Sequence, residues 1–271
     1  MKTFPYPLFS APAIMGILNV TEDSFFDGGC YVSMEAAMQR VKGMLSEGAD
    51  IIDVGAVSTR PGSAEVPAEE EWRRLQPVLA AITREFPGTL ISVDTWRADV
   101  AERSVNAGAS IINDISGGQF DSRMADVVGQ MGVPYVLMHT TAKPDRMQQE
   151  TMGDNMLADM LRFFGERIEL FQKKGCKDII IDPGFGFGKT LEQNYLLLNQ
   201  LQVFQVFEKP ILVGISRKSM IYKALKTEPR WALNGTTVLN TIALLKGAAV
   251  LRVHDVREAV EARKLVELYR K

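Results

Sequence analysis

Cysteine and histidine are scarce in this 271-residue chain, with two of each. Cys30 and Cys176 are not spaced as a metal-ligand pair, and two cysteines cannot build a disulfide scaffold. His139 and His254 have no partner at ligand spacing, which argues against a zinc centre. Neither sign of charge is in excess: 31 Lys and Arg stand against 33 Asp and Glu, a net charge of −2. No basic stripe marks a nucleic-acid partner. No apolar run reaches the length of a membrane span. The opening "MKTFPYPLFSAPAIMG" is interrupted by Pro5, Pro7 and Pro12, so it lacks a continuous signal segment. A soluble, cytoplasmic protein is expected. Linker-like and low-complexity tracts are also missing. With 46% hydrophobic and 24% charged residues, the chain has an ordinary globular balance, and one domain over 1–271 is expected.

Several nucleotide and hydrolase signatures are lacking too. "DIIIDPGFGFGKT" (178–190) looks like a strand, a glycine turn and a helix start. A phosphate loop requires Gly, four residues, then Gly-Lys-Ser/Thr. Pro183 stands where its first glycine should be, so the successive N–H groups needed to wrap a phosphate are not supplied. After the first apolar run, "GILNVTEDSF" contains no G-x-G-x-x-G. No G-x-S-x-G supports a serine nucleophile.

What the chain does contain is a run of eight short apolar stretches, at 13–19, 50–56, 90–95, 110–115, 134–139, 178–183, 210–216 and 250–254. Each is nearly continuous in its hydrophobicity, the pattern of parallel strands buried on both faces. Helical patterns lie between them. Ala37, Val41, Met44 and Leu45 fall on one face of the first, and Trp72, Leu75, Leu79 and Ile82 on one face of the second. Gly48, Gly108, Gly175 and Gly247 read as helix stops. Eight β-then-α units in about 250 residues predict an α/β fold of the (β/α)8 TIM barrel type, with an open doubly wound sheet as runner-up.

Each stretch ends in something polar: Asn19, the Ser58-Thr59-Arg60 loop, Asp94, Asn113, His139, Asp182, Ser216 with Lys218, and Arg252 with His254. In a barrel these ends meet at one mouth, where catalysis is placed. Lys218, Arg252 and His254 form a cationic side, in the place where barrels usually bind phosphate. The carboxylates and amides of the other side suit a heterocycle that offers parallel N–H donors, such as a 2-amino-pyrimidinone edge. A Mg2+ held by one or two protein oxygens and substrate phosphates is compatible with this mouth. The glycines of "GFGFGKT" would shape the sixth loop, with Phe185 or Phe187 lining the mouth. The stretch "TTVLNTIALLKGAAV" is apolar around too much of its circumference for an outer helix. Val238, Leu239, Ile242, Leu244 and Leu245 cannot all face the barrel, which predicts a homodimer.

Seven motifs, in order from about Ala13 to Ala262, together resemble the dihydropteroate synthase family of folate synthesis. They are "GILNVTEDSFFDGG", "STRPGS", "SVDT", "NDISGG", "DPGFGFGKT", "GISRKS" and "LRVHDVREAVE". The resemblance implies a (β/α)8 barrel that joins a hydroxymethyl-dihydropterin diphosphate to p-aminobenzoate, releasing diphosphate. It implies that sulfonamides act as p-aminobenzoate mimics. Asp94, Asn113 and Asp182 would hold the pterin, with Lys218 bonding the ring and Arg252 stacking on it. Asn19, Arg252 and His254 would meet the diphosphate, and Asn19 with Asp27 would hold Mg2+. Phe25, Thr59, Arg60, Pro61, Phe187 and Ser219 would form the p-aminobenzoate pocket, its carboxylate near the helix start at Ser219. Asp94, Asp182, Lys218 and Arg252 would carry the chemistry.

The chain departs from the family pattern at Glu22 and Phe26, and again after "VLMH", where it continues "TTAKPDRMQ". A methyl transferase acting on methyltetrahydrofolate would share the pterin side but not need the diphosphate side. A non-catalytic pterin-binding paralogue would not need "EDSFFDGG" and "STRPGS", which are both present.

Overall fold

The computed structural model describes residues 11–20, 30–57, 66–147 and 149–271. Strands and helices alternate. The first half runs β1 (Ala13–Asn19), α1 (Cys30–Glu47), β2 (Ile51–Gly55), α2 (Ala68–Glu85), β3 (Leu90–Asp94), α3 (Ala98–Asn106), β4 (Ile111–Asp114) and α4 (Met124–Met131). The second half runs β5 (Tyr135–Met138), α5 (Met156–Lys173), β6 (Ile179–Asp182), α6 (Leu191–Asn199), β7 (Leu212–Val213), α7 (Ser219–Tyr222), α8 (Leu233–Leu245), β8 (Val250–Val253) and α9 (Val256–Tyr269).

The strands pair in parallel in the order β6-β5-β4-β3-β2-β1-β8-β7. A parallel bridge between Ile181 and Ile211 joins the two ends, and the Ile181 N–H donates to the Pro210 carbonyl at 2.9 Å. The ring is therefore a (β/α)8 barrel and not an open doubly wound sheet. The seventh apolar run, 210–216, yields a strand of only two residues. Pro210 at its head has no N–H to donate to a ladder.

Successive side chains of a strand point to opposite faces. Outward residues such as Ile14, Ile52, Val93, Leu137 and Ile181 pack with Val41, Leu75 and Phe164 of the helices. Each fully buried side chain of this kind contributes about 1.5–3 kcal/mol. Inward residues Ala13, Met15, Ile51, Ile111, Val136, Ile180, Leu212 and Val250 form a separate apolar floor. Two positions further along the same strands come Asp53, Asn113, Asp182 and Arg252. The period of two thus stacks a polar layer on the floor, at the C-terminal end of the barrel.

The helical faces fall as expected, with Ala37, Val41, Met44, Leu75, Leu79 and Ile82 buried and Leu45 and Trp72 packed against them. Gly48, Gly108, Gly175 and Gly247, which follow α1, α3, α5 and α8, all have left-handed φ values (101, 108, 97 and 96°), the backbone of a glycine-terminated helix. No helix among the described residues is long and apolar enough to cross a membrane.

Candidate active site

Arg252 reaches from β8 across the barrel mouth. Its Nε donates to Asp53 Oδ2 at 2.7 Å and its Nη2 to Asp94 Oδ2 at 2.8 Å. Asn113 Nδ2 donates to the same Asp53 oxygen at 3.2 Å. The Asp53 side chain is wholly buried, while those of Asp94 and Arg252 keep 10% and 19% exposure. Burial disfavours the Arg252 cation, but Asp53 and Asp94 outweigh it and hold its pKa above the usual value. Burial also pushes Asp94 up to about 7; Arg252 opposes that rise and the Asp53 charge adds to it. Asp94 is therefore a carboxylate on the edge of neutrality, at the rim of the polar layer. Gly55 lies against this arrangement. A Cβ on it would lie 3.4 Å from Asp94 Cβ and 3.7 Å from Asn19 Oδ1.

Across the mouth, Asp182 Oδ1 accepts the Gly184 N–H at 2.8 Å. Burial raises the Asp182 pKa, against the pull of Lys218. Lys218 Nζ donates to the Phe185 carbonyl at 2.6 Å and lies 4.7 Å from the centre of the Phe187 ring. Its own pKa is lowered by burial to about 8. Phe187 belongs to a small apolar cluster at the mouth with Val57, Trp96, Ile115, Met138 and Met147. Phe185 instead packs in the sheet–helix core, so of the two phenylalanines only Phe187 is placed to line the mouth. Gly184 and Gly186 have left-handed φ values of 71 and 81°, and a Cβ on Gly184 would collide with the His139 carbonyl oxygen. The glycines of this loop answer a backbone requirement.

The remaining side is stitched from β7 and β8. The Ser216 hydroxyl accepts the His254 N–H at 3.1 Å and lies 3.0 Å from His254 Nδ1. Arg217, with φ 54°, grips Asp255 through Nε at 2.9 Å and Nη2 at 2.8 Å. This pins the backbone that presents Lys218 and Ser219. Burial, helped by Arg252, lowers the His254 pKa to about 4. His254 is thus neutral at pH 7, so the cationic side expected from three residues consists of Lys218 and Arg252. The helix that begins at Ser219 is one turn long, so its dipole adds little to the exposed N–H groups there.

Residues 15–254 match the model of the pterin binding enzyme family. The chain belongs to the pterin binding enzymes. It is 45% identical over 260 residues to the dihydropteroate synthase of Escherichia coli strain K12, covering 95% of this chain and 92% of that one. The crystal structure of the Yersinia pestis dihydropteroate synthase with a sulfonamide drug complex superposes with a TM-score of 0.90 at 44% identity, covering 96% and 95% of the two chains. The Xanthomonas albilineans enzyme with 4-aminobenzoic acid gives a TM-score of 0.90 at 37% identity, over 96% and 94%.

Within this family site, Asp94, Asn113, Asp182, Lys218 and Arg252 converge on one mouth, with Asn19 exposed at its rim and His254 and Ser219 beside it. Phe25, Asp27, Thr59, Arg60 and Pro61 lie outside the described residues, as do Glu22 and Phe26. His139 is not at the mouth. It follows Met138 by one position and so faces outward, with its ring edge-on to Phe163 at 4.9 Å. Asp53 was missed because it lies inside the run "DIIDVGA" and not at its end. Counting by two from the inward Ile51 would have found it. The departure after "VLMH" also acquires a role, since Met147 is 2% exposed within the mouth cluster beside Met138 and Phe187.

Proposed function

We infer that the protein acts as a dihydropteroate synthase. It joins 6-hydroxymethyl-7,8-dihydropterin diphosphate to p-aminobenzoate, giving 7,8-dihydropteroate and diphosphate in folate synthesis. The observation that carries this reading is the inward polar layer, in which Asp94, Asn113 and Asp182 face Lys218 and Arg252 across one mouth. Carboxylates that accept N–H donors fit a 2-amino-pyrimidinone edge, and an asparagine can both donate and accept on the remaining edge. A p-aminobenzoate site, open also to sulfonamides, is carried to this chain from the Yersinia and Xanthomonas relatives; on the resemblance of the sequence motifs, Phe187 and Ser219 would be its described members.

The reaction is a dissociative substitution. The bond between the pterin methylene and the diphosphate oxygen breaks, and its electron pair leaves with the diphosphate. The electron-rich ring shares the positive charge left on the methylene. Ionised Asp94 and Asp182 stabilise that cation in a water-poor site. Arg252 and Lys218 offset charge on the leaving group, and neutral His254 can donate a hydrogen bond to it. The aromatic amine is neutral at pH 7 and attacks the methylene without a strong base, its proton passing to water.

Mg2+ is part of the same proposal. Asn19 Oδ1 is a hard oxygen donor, and Mg2+ takes few protein ligands when phosphates complete its shell. Asp27 would be the second ligand. When bound, the cation would neutralise charge on the diphosphate. A cytoplasmic homodimer completes the proposal. On α8, Val238 and Leu245 are exposed, and on the neighbouring α9 so are Leu265 and Leu268; large apolar side chains left in water support a partner surface.

A turnover assay with both substrates and Mg2+ tests the reading. Dihydropteroate and diphosphate should appear in equal amounts. Pterin binding without product would identify a non-catalytic paralogue, and turnover of methyltetrahydrofolate instead would identify the methyl transferase.

A further inference from the structure

Lys189 ends the sixth loop, and its side chain is buried, with the residue only 4% exposed. Its Nζ donates to the Gly184 carbonyl at 2.9 Å and to the Phe187 carbonyl at 3.0 Å, and lies 3.2 Å from His139 Nδ1. An ammonium has three hydrogens and accepts nothing. These three partners therefore use all its hydrogens, and His139 must offer the bare lone pair of Nδ1, with its proton on Nε2. None of the three contacts is a carboxylate. Asp182 attracts the ammonium and Lys218 repels it without either bonding it.

Burying a cation without an ion pair is costly, and here that cost is set against backbone carbonyls and an imidazole, not against a carboxylate. The compensation is geometric. The loop between β6 and α6 is built around glycines in left-handed conformations and has little stiffness of its own. The two carbonyls that Lys189 holds belong to the residues that matter at the mouth. Gly184 is the residue whose N–H meets Asp182 Oδ1, and Phe187 carries the ring facing Lys218. Asn194 Oδ1 accepts the Gly186 N–H at 2.7 Å between them.

We propose that Lys189, capped by His139, is a positioning residue of the pterin site: it clamps the sixth loop from beneath and so sets where Asp182 and Phe187 meet the substrate. The proposal rests on the pterin reading of the mouth. Burial also lowers the Lys189 pKa to about 7. A neutral amine has only two N–H groups, so the arrangement with three acceptors belongs to the protonated form.

Nitrogen NMR of the full chain labelled at histidine tests this, with only two imidazoles to observe. At pH 6, His139 should be neutral with a bare Nδ1. A proton on Nδ1 at that pH overturns the clamp. Calorimetry with 6-hydroxymethylpterin supplies the second readout. Lys189→Met should weaken binding about tenfold or more, as loss of charged hydrogen bonds does, when measured well below the variant's own unfolding midpoint. Unchanged affinity in the folded variant overturns the proposal. If Lys189→Met does not fold, the wild-type tautomer decides. If wild-type protein binds no pterin, the functional reading has failed, and the tautomer still tests the clamp.

Discussion

Replacing Asp53 with Asn should move the acid limb of the activity profile to lower pH. Asp53 touches no expected substrate group, yet its charge helps to set the protonation of Asp94. In the wild-type mouth both carboxylates bond one guanidinium, at 2.7 and 2.8 Å. Burial is the main reason Asp94 titrates near 7, and the Asp53 charge adds to the rise while Arg252 opposes it. Two carboxylates on neighbouring N–H groups of one guanidinium are roughly 5 Å apart, and at an effective dielectric of about 20 they repel by roughly 3 kcal/mol. Asparagine removes that repulsion and leaves Asp94 as the only carboxylate bonded to Arg252. Both changes favour the ionised form, so the Asp94 pKa must fall. With about 1.4 kcal/mol per pH unit, the shift should be on the order of one to two units. Asp94 must be ionised to accept the pterin N–H groups, so the acid limb of kcat/KM, which reports the free enzyme, should follow it. The Asn oxygen still accepts from Arg252 Nε, so the stability cost should stay near 1–3 kcal/mol, below that of stripping a buried cation of every partner. Profiles of wild type and Asp53→Asn at saturating p-aminobenzoate decide the matter. An acid limb that does not move, in a folded variant, would refute the argument that this pair governs Asp94.

Asp94→Asn should leave the barrel folded and lower kcat/KM by about a hundredfold or more, since an amide oxygen replaces a charged acceptor; near wild-type turnover would remove Asp94 from the pterin edge. In calorimetry, p-aminobenzoate should bind weakly to the free enzyme and well once diphosphate and Mg2+ are present. Equal affinity in both titrations would show that p-aminobenzoate binding is independent of the anion. Light scattering at micromolar protein should return twice the 30.1 kDa chain mass, and Val238→Lys with Leu245→Lys should shift it to the monomer. A wild-type particle of 30.1 kDa would exclude the dimer.

The sequence alone determined the barrel, because eight apolar runs that bury both faces admit few architectures, and because glycines at 48, 108, 175 and 247 mark where helices must stop. It also placed Asn19, Asp94, Asn113, Asp182, Lys218 and Arg252 at the mouth, since the C-terminal ends of all eight strands of a barrel surround one opening. Only the tertiary structure decided how these groups pair. Arg252 and Asp53 are 199 positions apart, and the hydrogen bond between them exists because ring closure pairs β8 with β1, one strand from β2, so that the long Arg252 side chain reaches across. The facing of His139 was likewise beyond a reading of strand ends, because one step along a strand exchanges the mouth for the helix layer. Lys189 stands in a near-miss of a phosphate loop, which Pro183 excludes, and the sequence left it without a role. In the fold its ammonium is spent on the loop's own carbonyls, because the chain turns back over it after Gly184. Charge state was the least legible property of all. His254 is neutral, and Asp94 is held near neutrality, because burial penalises a charge by an amount that depends on everything packed around it.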